Sequence, residues 1–260
     1  MAGTISLDNR RVARRRLDQA LVERGWCESR EKARRAVMAG RVLINQRVAR
    51  KPSDPVKPED DVVLAEAEPY VSRGGLKLEH ALRHFQTEVR GQTAVDLGAS
   101  TGGFTDCLLQ QGAVRVYAVD VGSGQLAWKL RQDPRVVVLE KTNARALTPA
   151  RMPPPFAPVD LAVIDCSFIS LRKILPAAVA LVRDCGSILA LVKPQFEAGR
   201  READRGRGVI TDPAIHARVL QELQAFVSET GSLAWRGSTE SPLRGPAGNK
   251  EFFIALEKVR

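Results

Sequence analysis

The chain has 260 residues, of which 44% are apolar and 5% aromatic, so aliphatic side chains must fill its core. Its formal net charge of +10 favours a polyanionic partner if the charge is clustered. Between Met1 and Lys57, 15 Arg/Lys stand against 6 Asp/Glu, so a net +9 lies in the first fifth of the chain. A solvated basic tail is the simpler interpretation. Because this stretch also has an apolar pattern fit for folding, we expect a binding face.

Several classes of protein are disfavoured at once. The first residues carry no apolar signal-peptide core, and no run approaches the roughly 18 apolar residues of a membrane span. The cysteines, at positions 27, 107, 166 and 185, are far apart, which is typical of reduced, packed thiols. His80 and His84 share one helix face without a third ligand, so we expect no metal. We therefore expect a cytoplasmic protein with no membrane partner.

The first predicted elements are two helices. An apolar stripe from Leu17 to Leu21 predicts a helix that ends at Gly25. Ser29 is a good N-cap for a second helix, which ends at Gly40. Residues 42–48 then predict a strand, a turn and a returning strand, and residues 62–64 close the unit. We expect a small α+β domain at residues 10–65 and a linker at 66–74.

The second predicted domain runs from residue 75 to 260. Its helices are expected at 75–86, 103–111, 125–131, 170–182 and 213–229, and its strands at 93–97, 114–119, 136–139, 159–164, 187–192, near 233 and at 252–256. This alternation predicts an α/β, Rossmann-like fold with a parallel sheet of seven strands and helices on both faces. The last two strands are expected to form an antiparallel edge.

A glycine-rich turn, residues 98–103, follows the first strand of this domain and precedes a helix. In doubly wound sheets ligands bind at the carboxyl ends of strands, where glycines let the backbone turn tightly and approach the ligand. Ser100 replaces the second glycine of a dinucleotide fingerprint, and no Gly-Lys-Ser/Thr of a P-loop follows. A turn that merely tightens the strand–helix connection is the alternative.

Two carboxylates support a cofactor site. Asp96 ends the first strand, and Asp120 ends the next strand, 22 residues beyond Gly98, as does the acidic residue that binds ribose hydroxyls in nucleotide folds. S-adenosylmethionine has an amino group, a sulfonium and no pyrophosphate, so a carboxylate at Asp96 suits it better than a dinucleotide. The predicted cofactor-binding residues are Asp96, Gly98, Ser100, Thr101, Gly102, Gly103, Phe104, Asp120, Asn143 and Asp165.

Four further charged residues form a catalytic hypothesis. Asp165 and Lys193 each follow a buried apolar run, Glu251 starts the last strand, and Lys77 lies in the helix after the linker. Singly, each is more often an ordinary surface charge or ion-pair partner. Together they suit methylation of a sugar hydroxyl, which must lose its proton as its oxygen attacks the sulfonium methyl. A lysine accepts that proton only if burial or a nearby cation lowers its pKa.

These segments resemble the TlyA family, whose members are often labelled hemolysins and are related to FtsJ-type ribose methyltransferases. The matching motifs are Tyr70–Leu78, Asp96–Asp106, Asp165–Leu171, Leu191–Glu197 and Ser241–Phe252. Residues 16–21 and 29–42 resemble the alpha-L RNA-binding module of a small-subunit ribosomal protein and of pseudouridine synthases. The resemblance implies 2′-O-methylation of cytidine in ribosomal RNA. It also implies a Lys-Asp-Lys-Glu catalytic set at Lys77, Asp165, Lys193 and Glu251.

The expected partner is ribosomal RNA or a ribosomal subunit. The predicted RNA-binding residues are Arg16, Arg30, Lys32, Arg34, Arg35, Arg41, Arg73, Arg205 and Arg207, which would give largely sequence-blind contacts to phosphates. Because Trp26 is not part of a row of stacking aromatics, we expect the module to read folded RNA shape. Residues 199–208 are a candidate lid, with an ordinary surface loop as the alternative.

Two other functions stay open at this point. A membrane-active hemolysin is what the family label suggests, although no signal peptide or spanning run is visible in the sequence. A non-catalytic, RNA-binding ribosome assembly factor that merely holds the cofactor is the other. The intact set of Lys77, Asp165, Lys193 and Glu251 favours the enzyme over both.

Overall fold

A computed structural model describes residues 14–65, 69–199, 202 and 206–260 of the protein. The chain divides into two compact units, residues 1–67 and 68–260. Within the described ranges, no helix is long and apolar enough to cross a membrane. Arg205, one of the predicted RNA-binding residues, lies outside the described residues.

The first unit is a small α+β domain, as predicted. Its elements are β1 (Arg15–Arg16), α1 (Leu17–Glu23), α2 (Arg30–Met38), β2 (Val42–Ile44), β3 (Arg47–Val48), β4 (Pro55–Val56) and β5 (Val62–Leu64). Strands β3, β2 and β5 form an antiparallel sheet, and β1 pairs with β4. The predicted cap of α2 is confirmed, because the Ser29 hydroxyl accepts a hydrogen bond from the Lys32 amide. Leu17, Leu21, Ala33 and Val42 are fully buried in its core.

The second unit is built on a larger sheet. Its elements are α3 (Gly74–His84), β6 (Thr93–Leu97), α4 (Gly103–Gln110), β7 (Arg115–Val119), α5 (Trp128–Arg131), β8 (Val136–Leu139), β9 (Val159–Ile164), α6 (Leu175–Leu181), β10 (Val182–Val192), α7 (Pro194–Glu197), α8 (Pro213–Thr230), β11 (Leu233–Glu240) and β12 (Phe252–Lys258). The described strands form a seven-stranded sheet in the order β11-β12-β10-β9-β6-β7-β8. Strand β12 is antiparallel to β10 and to β11, which confirms the antiparallel edge.

Side chains of the central strands alternate between two cores. On β6, Val95 and Leu97 pack with α6 and α8, whereas Ala94 on the opposite face packs with α3 and α4. Because both faces are covered, these strands are continuous apolar runs. Helices therefore lie on both faces of the sheet, as the sequence predicted.

The order of the strands sets the position of the site. Strand β6 lies between β7, which follows it directly, and β9, which comes later in the chain. The strands that directly follow β6 in the chain are therefore added on one side of it, and β9 and the later strands are added on the other side. The crevice beyond the carboxyl ends of β6 and β9 is the place where doubly wound sheets bind ligands.

Four predicted elements have wrong boundaries. The helix expected at 125–131 is reduced to α5, because the Ala127 amide donates to the carbonyl of Thr101 instead of a helical partner. The helix expected at 170–182 is a 3₁₀ turn at Leu171–Lys173 followed by α6. Helix α6 ends where Val182 pairs with Val159 of β9. Strand β10 therefore begins five residues before the predicted strand, and its pairing with β9 is irregular between Val182 and Ser187. Helix α3 also spans Gly74–His84 rather than 75–86.

Candidate active site

Two cavities lie at the carboxyl ends of the central strands. The first has a volume of about 310 Å³ and the second about 460 Å³. Both are lined by Gly98, Ser100, Asp165 and Ser167, so they adjoin at the switch point between β6 and β9. The arrangement suits an elongated ligand that spans both cavities.

The predicted cofactor residues divide between these cavities. Thr101, Gly103 and Phe104 line the first, and Asp120 and Asn143 line the second. Asp96 and Gly102 are not among the residues that line either one. The structure thus brings most of the predicted set to one cleft.

Glycines in the turn after β6 are required by the protein's own packing. Gly98 has a φ of +96°, and a Cβ there would lie 2.7 Å from the backbone oxygen of Asp165. Gly102 has a φ of +100°, and its Cβ would lie 2.8 Å from the Leu126 side chain. The amides of Gly98 and Ala99 both donate to the carbonyl of Val119, which fixes the turn against β7. The sequence predicted that the glycines let the backbone approach a ligand. At Gly98 the backbone instead approaches Asp165, at the end of the neighbouring strand β9.

Asp120 organises the rim of the second cavity. Its Oδ2 accepts a hydrogen bond from the Ser100 amide at 2.8 Å, and its Oδ1 accepts one from the Gly122 amide at 2.7 Å. A carboxylate oxygen has room for a second donor. Asp120 therefore joins two loops and retains the capacity to bind hydroxyl groups.

Asp96 lies behind the glycine turn rather than in the cleft. Its side chain is fully buried and faces α4, where Thr105 Oγ1 donates to its Oδ2 at 2.7 Å. Its Oδ1 has no hydrogen-bond partner among the described residues. Burial raises the pKa of Asp96 to about 7, against the opposing hydrogen bond from Thr105. An orphaned buried carboxylate oxygen calls for a donor, and the described residues do not supply one.

All four predicted catalytic residues line the first cavity. Lys77 Nζ donates to Glu251 Oε2 at 2.5 Å, and Lys193 Nζ lies 2.6 Å from Asp165 Oδ1. The two lysine side chains are each 10% exposed, and that of Glu251 is 1% exposed. The site therefore holds two cation–carboxylate pairs, of which Lys77–Glu251 is buried and Lys193–Asp165 is partly exposed at Asp165, rather than four separate surface charges.

Strand geometry explains why distant residues meet here. Asp165 directly follows β9 and Lys193 directly follows β10, which is parallel to β9, so both stand at the same edge. Glu251 precedes β12, which is antiparallel to β10, and Phe252 pairs with Val192. The start of β12 therefore coincides with the end of β10, and Glu251 reaches the same edge.

The sequence reasoning missed Ser167. Lys193 Nζ donates to Ser167 Oγ at 2.8 Å, and Ser167 lines both cavities. It was contained in the motif Asp165–Leu171, where its polar side chain two residues after a strand-end carboxylate was the available signal. The same motif supplies Phe168, which is 90% exposed, has a φ of +63° and lines the second cavity.

Much of the predicted RNA-binding face of the first unit is paired internally. Arg16 and Arg30 both bind the buried carboxylate of Asp18, at 3.0 and 3.1 Å. The hydrogen bond from Arg16 is the main reason that the pKa of Asp18 lies below its usual value. These two arginines are therefore fixed in direction, with about half of each side chain exposed.

The other predicted RNA-binding residues have varied surroundings. Lys32 pairs with Glu28, and Arg35 pairs with Glu31, each on an exposed surface. Arg41 donates to the carbonyl of Ala65, whereas Arg73 belongs to the second unit and lines its first cavity. Arg34 and Arg207 are exposed.

Comparison with known proteins gives this cleft a family. Residues 70–258 match the family described as FtsJ-like methyltransferase, and residues 15–63 match the S4 domain. The two matches cover the second and first units, respectively. The FtsJ-like match includes all the residues that line the two cavities.

Whole-chain relatives agree with these matches. The chain is 49% identical over 243 residues to the Bacillus subtilis protein named "Putative rRNA methyltransferase YqxC", covering 93% of this chain and 85% of that protein. It is 47% identical over 250 residues to the "16S/23S rRNA (cytidine-2'-O)-methyltransferase TlyA" of Mycobacterium tuberculosis, covering 94% and 91%. The solved structure "Putative hemolysin from Streptococcus thermophilus" shares 44% identity at a TM-score of 0.72, covering 95% and 90%. The chain therefore belongs to the TlyA family, with an S4 domain followed by an FtsJ-like methyltransferase domain.

Proposed function

We propose that this methyltransferase transfers a methyl group from S-adenosylmethionine to the ribose 2′-hydroxyl of cytidine in ribosomal RNA. The observation that carries the proposal is the placement of two ion pairs, the buried Lys77–Glu251 and the partly exposed Lys193–Asp165, around one cavity at the switch point of the sheet. The name of the Mycobacterium tuberculosis relative supports this choice of acceptor.

The residues of the cleft fit S-adenosylmethionine. The second cavity combines apolar Val119, Ile169 and Ile174 with the polar groups of Asp120 and Asn143, a lining suited to a nucleoside. The partnerless Oδ1 of Asp96 suits an ammonium group that reaches behind the glycine turn. When bound, the cofactor supplies an electrophilic methyl group on a sulfonium.

We assign proton acceptance to Lys193. Its Nζ is held between Asp165 Oδ1 and Ser167 Oγ, so its direction in the cavity is fixed before substrate binds. In its neutral form, a lysine side chain accepts a proton from a positioned hydroxyl group. That amine takes the ribose proton, and Asp165 stabilises the ammonium that forms.

Lys77 has an electrostatic role in this scheme. Its side chain is tied to Glu251, which holds it in place beside the cavity. A fixed positive charge stabilises the negative charge that develops on the attacking ribose oxygen. Much of the remaining acceleration comes from holding that oxygen in line with the methyl group.

The S4 domain accounts for binding of ribosomal RNA or a ribosomal subunit, and such a substrate places the protein in the cytoplasm. Basic side chains of the first unit contact phosphates, and the target ribose turns out of its helix to reach the cleft.

A methylation map tests the proposal. Ribosomal RNA is incubated with the cofactor and the protein, and 2′-O-methyl positions are located with and without the enzyme. New 2′-O-methylcytidines that vanish with Lys193→Ala, but persist with the exposed control Lys173→Ala, are the expected result. Unchanged methylation by Lys193→Ala would remove Lys193 from the catalytic set, and a map without new sites would overturn the proposed acceptor.

A further inference from the structure

Trp26 is a large apolar side chain that the core of the first unit does not use. Its backbone is fixed at the end of α1, where the amides of Trp26 and Cys27 both donate to the carbonyl of Leu21 at 3.0 and 3.2 Å. Cys27 packs against the core of the unit, whereas Trp26 is 40% exposed. The guanidinium of Arg24 lies over the indole, 5.5 Å from the ring centroid. A rigid backbone thus presents an aromatic ring to the surface.

A cavity of about 400 Å³ adjoins this ring. Its apolar lining residues are Ala36, Ala39 and Leu64, and its charged ones are Glu28, Lys32, Arg35 and Arg41. A volume in this range suits one small ligand. Three cations against one carboxylate favour an anionic occupant, in a stretch of chain that carries most of the surplus positive charge.

Two of the three cations that line this cavity, Lys32 and Arg35, are free to exchange partners. The pairs Lys32–Glu28 and Arg35–Glu31 are exposed helix-surface pairs, whose net contribution to stability is small. A phosphate therefore replaces either carboxylate at little cost. Arg41 is held differently, since two of its nitrogens donate to the backbone oxygen of Ala65, which fixes the guanidinium beside the cavity.

We propose that Trp26 stacks on one unpaired base of the RNA substrate, with the adjoining phosphate bound by Lys32, Arg35 and Arg41. The inference rests on the proposed function for the identity of the nucleic acid. An aromatic ring beside a cationic, apolar-floored cavity is the arrangement by which proteins bind unstacked nucleotides. The sequence led us to expect that the first unit recognises only the shape of folded RNA. The proposal adds that it also binds one unpaired nucleotide next to the folded part of the RNA.

Substitution of Trp26 in the full-length protein tests this. Loss of stacking on one base lowers affinity for ribosomal RNA roughly 5- to 100-fold. We expect Trp26→Ala to raise the Kd and KM for naked ribosomal RNA by that factor and to leave kcat at saturating RNA unchanged. Trp26→Phe retains most of the affinity. The matched control is Met38→Ala, which removes an exposed apolar side chain of the same unit that is not part of the cavity lining.

Fluorescence gives an independent readout of stacking. The chain has three tryptophans, so the double variant Trp128→Phe/Trp235→Phe leaves Trp26 as the sole one. A single-stranded 10-nucleotide RNA is expected to quench its emission, and a blunt RNA duplex is not. An unchanged thermal unfolding midpoint for Trp26→Ala shows that affinity, rather than folding, was affected.

Several outcomes would overturn the inference. Equal RNA affinity of Trp26→Ala and the wild type is one, and quenching by duplex alone is another. A loss seen with whole ribosomal subunits but not with naked ribosomal RNA would identify a protein partner at this surface instead. Absence of methyl transfer by the wild type would defeat the proposed function, but quenching by the oligonucleotide would still decide the role of Trp26.

Discussion

Glu251 lies 174 residues after Lys77 in the chain, yet its Oε2 accepts a hydrogen bond from the Lys77 ammonium at 2.5 Å. This pair links α3, which opens the second unit, to β12, which closes it. It is therefore both a candidate part of the catalytic machinery and a connection between the two ends of the domain.

Removal of Glu251 is expected to destabilise the protein. Glu251→Ala leaves the buried ammonium of Lys77 without its partner, a change that costs roughly 3 to 5 kcal/mol of the free energy of unfolding. Denaturant unfolding measures it. The control is Glu240→Ala at the exposed Lys250–Glu240 pair, where we expect less than about 1 kcal/mol. Equal losses at the two sites would show that the buried pair contributes no more than a surface pair.

Loss of Lys193 is expected to affect chemistry more than binding. Removal of a positioned proton acceptor lowers kcat roughly 10²- to 10⁴-fold. Isothermal titration with S-adenosylmethionine should give an affinity for Lys193→Ala close to that of the wild type. Ser167→Ala should lower kcat less, because Asp165 still orients the lysine. A Lys193 variant that fails to bind the cofactor, with kcat intact at saturation, would contradict the assignment.

Asp96 gives a pH dependence of stability. Its pKa is raised to about 7 in the folded protein from an ordinary value of 3.8, so the folded state binds the proton more tightly than the unfolded state. The cofactor-free protein should therefore lose stability as pH rises from about 4 to about 7, and its Asp96 contribution should be constant above that range. Unfolding free energies of wild type and Asp96→Asn, compared across this range, isolate the effect. A difference that does not vary with pH would refute it.

The same carboxylate predicts how cofactor binding varies with pH. A charged Asp96 attracts an ammonium group, so affinity for S-adenosylmethionine should rise as pH increases through about 7. Asp96→Asn should lose this rise and bind the cofactor more weakly above pH 7. Titration calorimetry at several pH values measures both. Parallel pH profiles for the two proteins would show that the ammonium does not contact Asp96.

Two glycine substitutions separate backbone strain from close packing. Gly98→Ala places a Cβ 2.7 Å from the Asp165 backbone oxygen at a φ of +96°, whereas Gly124→Ala has a φ of +73° and open space around its Cβ. The Gly124 variant should therefore lose only the roughly 1 to 2 kcal/mol of a left-handed non-glycine residue. The Gly98 variant should lose more, as measured by denaturant unfolding, together with methyl transfer. Equal losses of the free energy of unfolding would show that the backbone at Asp165 moves aside at no measurable cost.

Local patterns determined the polar positions at the strand ends. An apolar run that stops at a charged residue marks the end of a buried strand, and Asp165 and Lys193 were found in this way, whereas Asp96 lies inside β6, one residue before its end. The caps and helices of the first unit were predictable for the same reason, since Ser29 acts on residues three positions away.

The tertiary structure alone decided which of these residues meet. The antiparallel direction of β12 puts Glu251 at the same sheet edge as Lys193, and the alternation of β6 turns Asp96 toward Thr105, behind the glycine turn. The helix predicted at 125–131 is shortened by a hydrogen bond to Thr101. Sequence periodicity reports the preferences of neighbouring residues, whereas strand order and direction, and hence pairings across more than a hundred residues, are fixed only when the whole sheet packs.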